Sequence, residues 1–187
     1  MILEVYSEGS SNIMAKSTLV ISAFPGAGKT TLYNAMEELK KVNTVFEGQL
    51  DILDSDSSQF SWIEPGVRHP DFPNNYIAHI KENIGKVDVI MTSTHKVVRD
   101  ALKEAGINFV IVFPLRNLKE EYIERYLLRG SPDGFIKLMN EKWDDFITEL
   151  KEEEYVNKIN LMPGQFLGSI LNDSNSMTQQ FLAQCSN

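Results

Sequence analysis

One run of residues in this chain has types and spacing that dictate a chemistry: Ala23-Phe-Pro-Gly-Ala-Gly-Lys-Thr30. It follows the apolar run Leu19-Val20-Ile21 and precedes the helical pattern Leu32, Ala35, Met36, Leu39. A glycine-rich turn between a strand and a helix can curl until several backbone N–H groups converge on one point, an anion nest. The new helix adds the positive end of its dipole there. The run therefore reads as a phosphate-binding loop, with Pro25, Gly26, Ala27, Gly28, Lys29, Thr30 and Thr31 around the anion. Lys29 would reach the β- and γ-phosphates, and Thr30 would offer its hydroxyl to Mg²⁺. The usual pattern opens on glycine, and Ala23 stands in that place.

Asp54 and Asp56 end the run Gln49-Leu-Asp-Ile-Leu-Asp-Ser-Asp56, at what should be the carboxyl end of a strand. Ligands bind at that edge of an open α/β sheet. An acid there can hold Mg²⁺ through water or accept a proton from an attacking hydroxyl. The same letters also make good turn chemistry. Arg125 and Arg129 are one helical turn apart on one face, and Gly130 and Gly134 follow as hinge candidates. Two such cations could close over a transferring phosphoryl group; the other reading is a solvated helix with Arg125 paired to Glu121 or Glu124.

All five arginines lie in the middle of the chain, and arginine is the residue for two-pronged phosphate contacts. Arg116 follows Pro114 after a strand, Arg68 shares a segment with Trp62, His69 and Tyr76, and Arg99 lies on the helix after the third strand. Trp62 and Tyr76 read as core packing before base stacking. Ser93-Thr-His95 reads as a helix cap through Thr94 before an acceptor contact. His69 and His79 have no metal-ligand spacing.

These residues need elements to position them. Apolar runs near 18–22, 49–56, 87–92, 108–113 and 157–161 read as strands. Helical patterns cover 29–41, 74–84, 95–105, 117–129, 135–152 and 165–171. Continuous apolar strands alternating with helices mean a parallel sheet covered on both faces, a three-layer α/β architecture. Residues 60–73 read as irregular and 130–134 as a flexible break. Residues 1–15 read as an N-terminal extension with no assigned role, and 172–187 as a polar tail.

At 187 residues the chain fits one domain with a full core. Its net charge of −8 argues against nucleic-acid coating but permits a local basic cleft. Cys185 is the sole cysteine, so no internal disulfide forms and a reducing compartment fits. No apolar run reaches membrane-spanning length, and the N-terminus has no signal pattern. A cytoplasmic protein is the expectation.

The order of elements resembles the nucleotide-kinase branch of the P-loop phosphotransferases. That branch takes in nucleoside monophosphate kinases, shikimate and gluconate kinases, and the kinase domain of polynucleotide kinase. The resemblance covers residues 16–171. It rests on the phosphate loop, on Asp54-Ser-Asp56 and on Arg125-x-x-x-Arg129-Gly130. It implies the P-loop nucleoside triphosphate hydrolase fold, with ATP and Mg²⁺. The implied catalytic set is Lys29, Asp54, Asp56, Arg125 and Arg129, with Thr30 and Asp54 toward the metal. Residues 57–84 would bind the acceptor and 116–135 would form the lid. Arg68, Arg99 and Arg116 would grip an acceptor phosphate, and the backbone of Leu161-Met-Pro-Gly164 would meet adenine. No Asn-Lys-x-Asp guanine motif occurs. The expected reaction is transfer of the γ-phosphoryl of ATP to a small-molecule nucleotide, with a nucleoside monophosphate ahead of a hydroxyl acceptor. The hydroxyl could belong to a nucleoside, a polynucleotide 5′ end or a metabolite. A non-catalytic nucleotide-binding regulator is a third reading, and a monomer or homodimer is expected.

Overall fold

The computed structural model describes residues 16–41, 49–171 and 183–184. The N-terminal extension and most of the polar tail expected from the sequence lie outside the described residues. Five parallel strands form the central sheet: β1 (Leu19–Ala23), β2 (Ile52–Asp54), β5 (Val89–Ser93), β6 (Val110–Pro114) and β7 (Asn157–Leu161). Their spatial order is β2-β5-β1-β6-β7, and each neighbouring pair runs parallel. A small antiparallel hairpin, β3 (Trp62–Glu64) with β4 (Val67–Arg68), stands apart.

β1 is central because all five of its residues are buried. Successive side chains on a strand point to opposite faces, and the sheet uses both. Val20, Ile90, Ile111 and Phe113 enter one core with α3 (Asn74–Asn83), α4 (Lys96–Glu104), α5 (Lys119–Leu128) and α6 (Asp133–Glu152). Leu19, Ile21, Val89, Met91, Val110 and Val112 enter the other, covered by α1 (Lys29–Lys41) and α7 (Leu167–Leu171). This is the three-layer α/β architecture. No helix of the described residues is long and apolar enough to cross a membrane.

Two stretches depart from the sequence reading. Residues 57–73 contain a one-turn helix, α2 (Ser58–Ser61), and the β3–β4 hairpin. The expected break at 130–134 is shorter, because α6 starts at Asp133 and takes Gly134 into its first turn. Gly130 alone has the left-handed backbone, φ +71°, of a hinge glycine.

Candidate active site

The carboxyl ends of β1, β2 and β5 converge on one cleft of about 1070 Å³. Its floor is the phosphate loop between β1 and α1. Gly26 and Gly28 have φ of +82° and +92°, a region open to glycine at little cost. A side chain would also collide here. A Cβ on Gly26 would lie 2.8 Å from the Tyr126 ring, and one on Gly28 would lie 3.1 Å from Phe166. Backbone curvature and close overlying packing both demand glycine at these two positions.

Lys29 folds back so that its Nζ donates to the Ala23 carbonyl at 2.7 Å. Burial lowers its ammonium to about 8, against the opposing pull of Asp54 and Asp56. Thr30 Oγ1 donates to the Asp54 carboxylate at 3.1 Å. This all-oxygen pair suits a hard cation that keeps several waters and takes its remaining ligands from phosphate, as Mg²⁺ does. Among the described residues, no three acidic, cysteine or histidine side chains group together to cage a metal.

Asp56 also lines the cleft. Its two oxygens accept the Ser58 backbone N–H (2.9 Å) and the Ser58 hydroxyl (2.8 Å). The turn chemistry read in the sequence is therefore present at Asp56. A carboxylate has further acceptor positions beyond those two, so the turn holds the group without using it up.

The opposite wall is α5. Arg125 is tied down on every side. It donates to the carbonyls of Gly26 and Gln165, both at 3.0 Å, and to the Glu121 carboxylate. Its guanidinium carbon lies 4.4 Å from the Tyr122 ring centre and 3.9 Å from that of Phe166. Tyr126 adds a hydroxyl bond to the Pro25 carbonyl at 2.9 Å. Arg125 thus braces the phosphate loop, and the Glu121 pairing of the solvated-helix reading also exists. Arg129 lies over Tyr126 and Phe135 and donates to the Ser131 hydroxyl. It lines the cleft, and its charge reaches Lys29. No carboxylate among the described residues pairs with it.

On the acceptor side, Arg68 lines the cleft with its guanidinium 4.3 Å over Trp62 and 6.0 Å from Phe72. The other two arginines assigned to the acceptor lie elsewhere. Arg99, 1% exposed, pairs with Glu149 and Glu153 and donates to the Thr94 carbonyl. It joins α4 to α6. Arg116 pairs with Asp144 and donates to Thr148 on α6. Both are corrections to the sequence reading. Each has the right place in the chain, but its charge is drawn to acids on α6. Thr94 does not cap α4: His95 is the N-cap residue and makes no side-chain cap bond. Tyr76 is core, fully buried with its hydroxyl on the Ser55 carbonyl, but Trp62 is 40% exposed and faces the cleft rather than the core.

The sequence reading gave His95 only as the second reading of Ser93-Thr-His95, an acceptor contact, and did not single out Phe166. His95 lines the cleft, and its Nδ1 lies 3.4 Å from the Ser93 hydroxyl, itself 3.0 Å from the Ser57 hydroxyl. Burial lowers the imidazole below its usual range, helped by the charges of Lys29 and Arg68 and opposed by Asp56. Its signal in the sequence was only its place at the end of a strand. Phe166 carried no signal beyond following Pro163-Gly164.

No protein-family model matches this chain, and no curated protein matches it by sequence. Solved structures do. A gluconokinase from Sinorhizobium meliloti 1021 superposes over 91% of this chain and 95% of its own, with a TM-score of 0.50 at 14% identity. The structure of APE1195 covers 89% of this chain and 98% of its own, with a TM-score of 0.41 at 16% identity.

Proposed function

We infer that the described residues form a P-loop kinase domain, from a five-stranded parallel α/β sheet with a phosphate loop after its central strand, an outline shared with a gluconokinase. We propose that it is an ATP-dependent phosphotransferase and that the group it phosphorylates is a hydroxyl on a small molecule. One observation carries the reading. The Thr30–Asp54 contact lies in the same cleft as Lys29, Asp56 and Arg129. A metal-side pair, a phosphate-side ammonium, a carboxylate bonded only to Ser58 and a guanidinium with no carboxylate partner among the described residues then surround one space. Ligand pockets commonly measure about 300–1,000 Å³, so this cleft has room for a donor and an acceptor together.

The choice of a hydroxyl rests on the acceptor wall. Phosphate attacking phosphate needs no base and calls for several cations to hold the acceptor. Arg99 and Arg116 are spent on α6, leaving Arg68 and the carboxylate of Asp56. An attacking hydroxyl needs the reverse balance, few cations and one proton acceptor.

In this mechanism the phosphate loop and Lys29 hold the β- and γ-phosphates. Thr30 and Asp54 would hold Mg²⁺, which when bound draws charge from the phosphate oxygens. Asp56 takes the acceptor's proton as its oxygen bonds to the γ-phosphorus and the bond to the ADP oxygen breaks. Lys29 and Arg129 offset the charge on the phosphoryl oxygens, the main catalytic task in such transfers.

Asp56→Asn and Asp54→Asn separate the two acids. With Asp56 as base, Asp56→Asn lowers kcat at least about a hundredfold, within the usual contribution of general-base catalysis. Asp54→Asn raises the Mg²⁺ concentration needed for half-maximal rate and is partly rescued by Mn²⁺. Wild-type kcat in Asp56→Asn contradicts the hydroxyl mechanism.

A further inference from the structure

A base in the cleft needs a hydroxyl that donates to it, and the chain already supplies one of its own to Asp56. The Ser58 hydroxyl donates to one Asp56 oxygen at 2.8 Å, and the Ser58 backbone N–H donates to the other at 2.9 Å. The pair of bonds fixes the carboxylate against this hydroxyl. Asp56 and Ser58 are both exposed, and both line the cleft with Lys29, Thr30 and Arg129. Asp56 is near enough to Lys29 for its charge to act on the ammonium. The other serines of the segment are placed differently. Ser55, Ser57 and Ser61 are buried, and the Ser57 hydroxyl is bonded to that of Ser93. Ser58 alone among them combines an exposed hydroxyl with a bond to the carboxylate.

We propose that Ser58 is a self-phosphorylation site. Self-phosphorylation rests on the hydroxyl-acceptor reading above, because it uses the same donor and the same base. With ATP in the cleft and no acceptor, Ser58 Oγ bonds to the γ-phosphorus. The bond from that phosphorus to the ADP oxygen breaks, and the hydroxyl proton passes to Asp56. ADP leaves and a phosphoserine remains. That group carries about −1.5 to −2 charge at pH 7. It stands beside the Asp56 carboxylate, where an incoming hydroxyl would have to sit, so the modified chain is closed to its acceptor. An acceptor that displaces Ser58 from Asp56 protects the chain in turn.

The test incubates the full chain with Mg-ATP alone and follows it by intact mass and peptide mapping. The expected result is one phosphoryl group per chain, on Ser58, at a rate independent of protein concentration. Ser58→Ala and Lys29→Ala should stay unmodified. Ser58→Thr keeps a hydroxyl and should still be modified at position 58. Asp56→Asn should slow the modification at least about a hundredfold, the loss expected of a general base. An unmodified Ser58 in a chain that binds Mg-ATP by calorimetric titration overturns self-phosphorylation, and so does phosphate mapped to another residue. Either result leaves the kinase reading to stand or fall on acceptor-dependent release of ADP. A chain that neither binds Mg-ATP nor takes up phosphate overturns both.

Discussion

Lys29 shows how one residue's surroundings set a measurable behaviour. Its amine is buried against the Ala23 carbonyl and lowered to about 8. Triphosphate oxygens favour the ammonium form, so binding should raise that value again. At pH 9 most of the free protein has a neutral Lys29, and Mg-ATP binding should take up close to one proton per site. At pH 6.5 the amine is already charged and uptake should be near zero. Titration calorimetry in buffers of different ionisation enthalpy measures this directly. Lys29→Met should abolish the uptake at pH 9, whereas unchanged uptake in that variant would assign the proton to another group. The sign for stability is the reverse of a salt-bridged lysine. The folded value lies below the ordinary 10.5, so the burial cost is full below about pH 8. It fades as pH rises from there toward 10.5, where the unfolded chain also releases the proton.

At the scale of elements, α5 is seated on the phosphate loop, and Arg125 and the C-cap residue Arg129 have divided their work. Arg125 holds Gly26, Gln165 and Glu121, whereas Arg129 lines the cleft over Tyr126 and Phe135 and donates to the Ser131 hydroxyl, with no carboxylate partner among the described residues. Arg129→Lys keeps the charge but loses the planar fork. A contact made only in the transition state lowers kcat and leaves ground-state binding alone. The expected result is at least a tenfold loss of kcat, roughly 1.4 kcal/mol, with ATP affinity changed less than about twofold. Arg125→Lys should behave differently. It loosens the loop, so ATP affinity and thermal stability fall together, stability by about 2 kcal/mol from hydrogen bonds to a charged group. Steady-state kinetics beside thermal unfolding distinguishes the two patterns. Equal kcat effects with no stability change in Arg125→Lys would restore the picture of two equivalent lid cations.

Across the whole molecule, the sheet and the phosphate loop were legible because their signals are local and redundant. Residues 29–41 and 157–161 coincide with α1 and β7: an apolar run or a helical stripe of that length has one reading. The hairpin at Trp62–Arg68 was not legible. Strands of three and two residues have no period to detect, and their exposed side chains give no burial pattern. The same limit explains the arginines. Arg99 sits on an amphipathic helix at the site's edge of the sheet, but its partners Glu149 and Glu153 are some 50 residues away. No local rule predicts that pairing. Arg116 likewise turns to Asp144, 28 residues on. The loop chemistry was therefore readable early, whereas the acceptor wall emerged only from the packing of α6.

The central claim is phosphoryl transfer to a hydroxyl, and acceptor-dependent release of ADP tests it most directly. The wild-type chain with Mg-ATP would be offered nucleosides, nucleoside monophosphates, sugar acids and a 5′-hydroxyl oligonucleotide, with Lys29→Ala as the control. The account predicts that at least one hydroxyl acceptor raises ADP release well above the acceptor-free rate. It also predicts that the phosphate is recovered on that hydroxyl and that Lys29→Ala, still folded, loses the stimulation. Tight ATP binding with no stimulation by any acceptor, or transfer only onto the phosphate of a monophosphate, would contradict it.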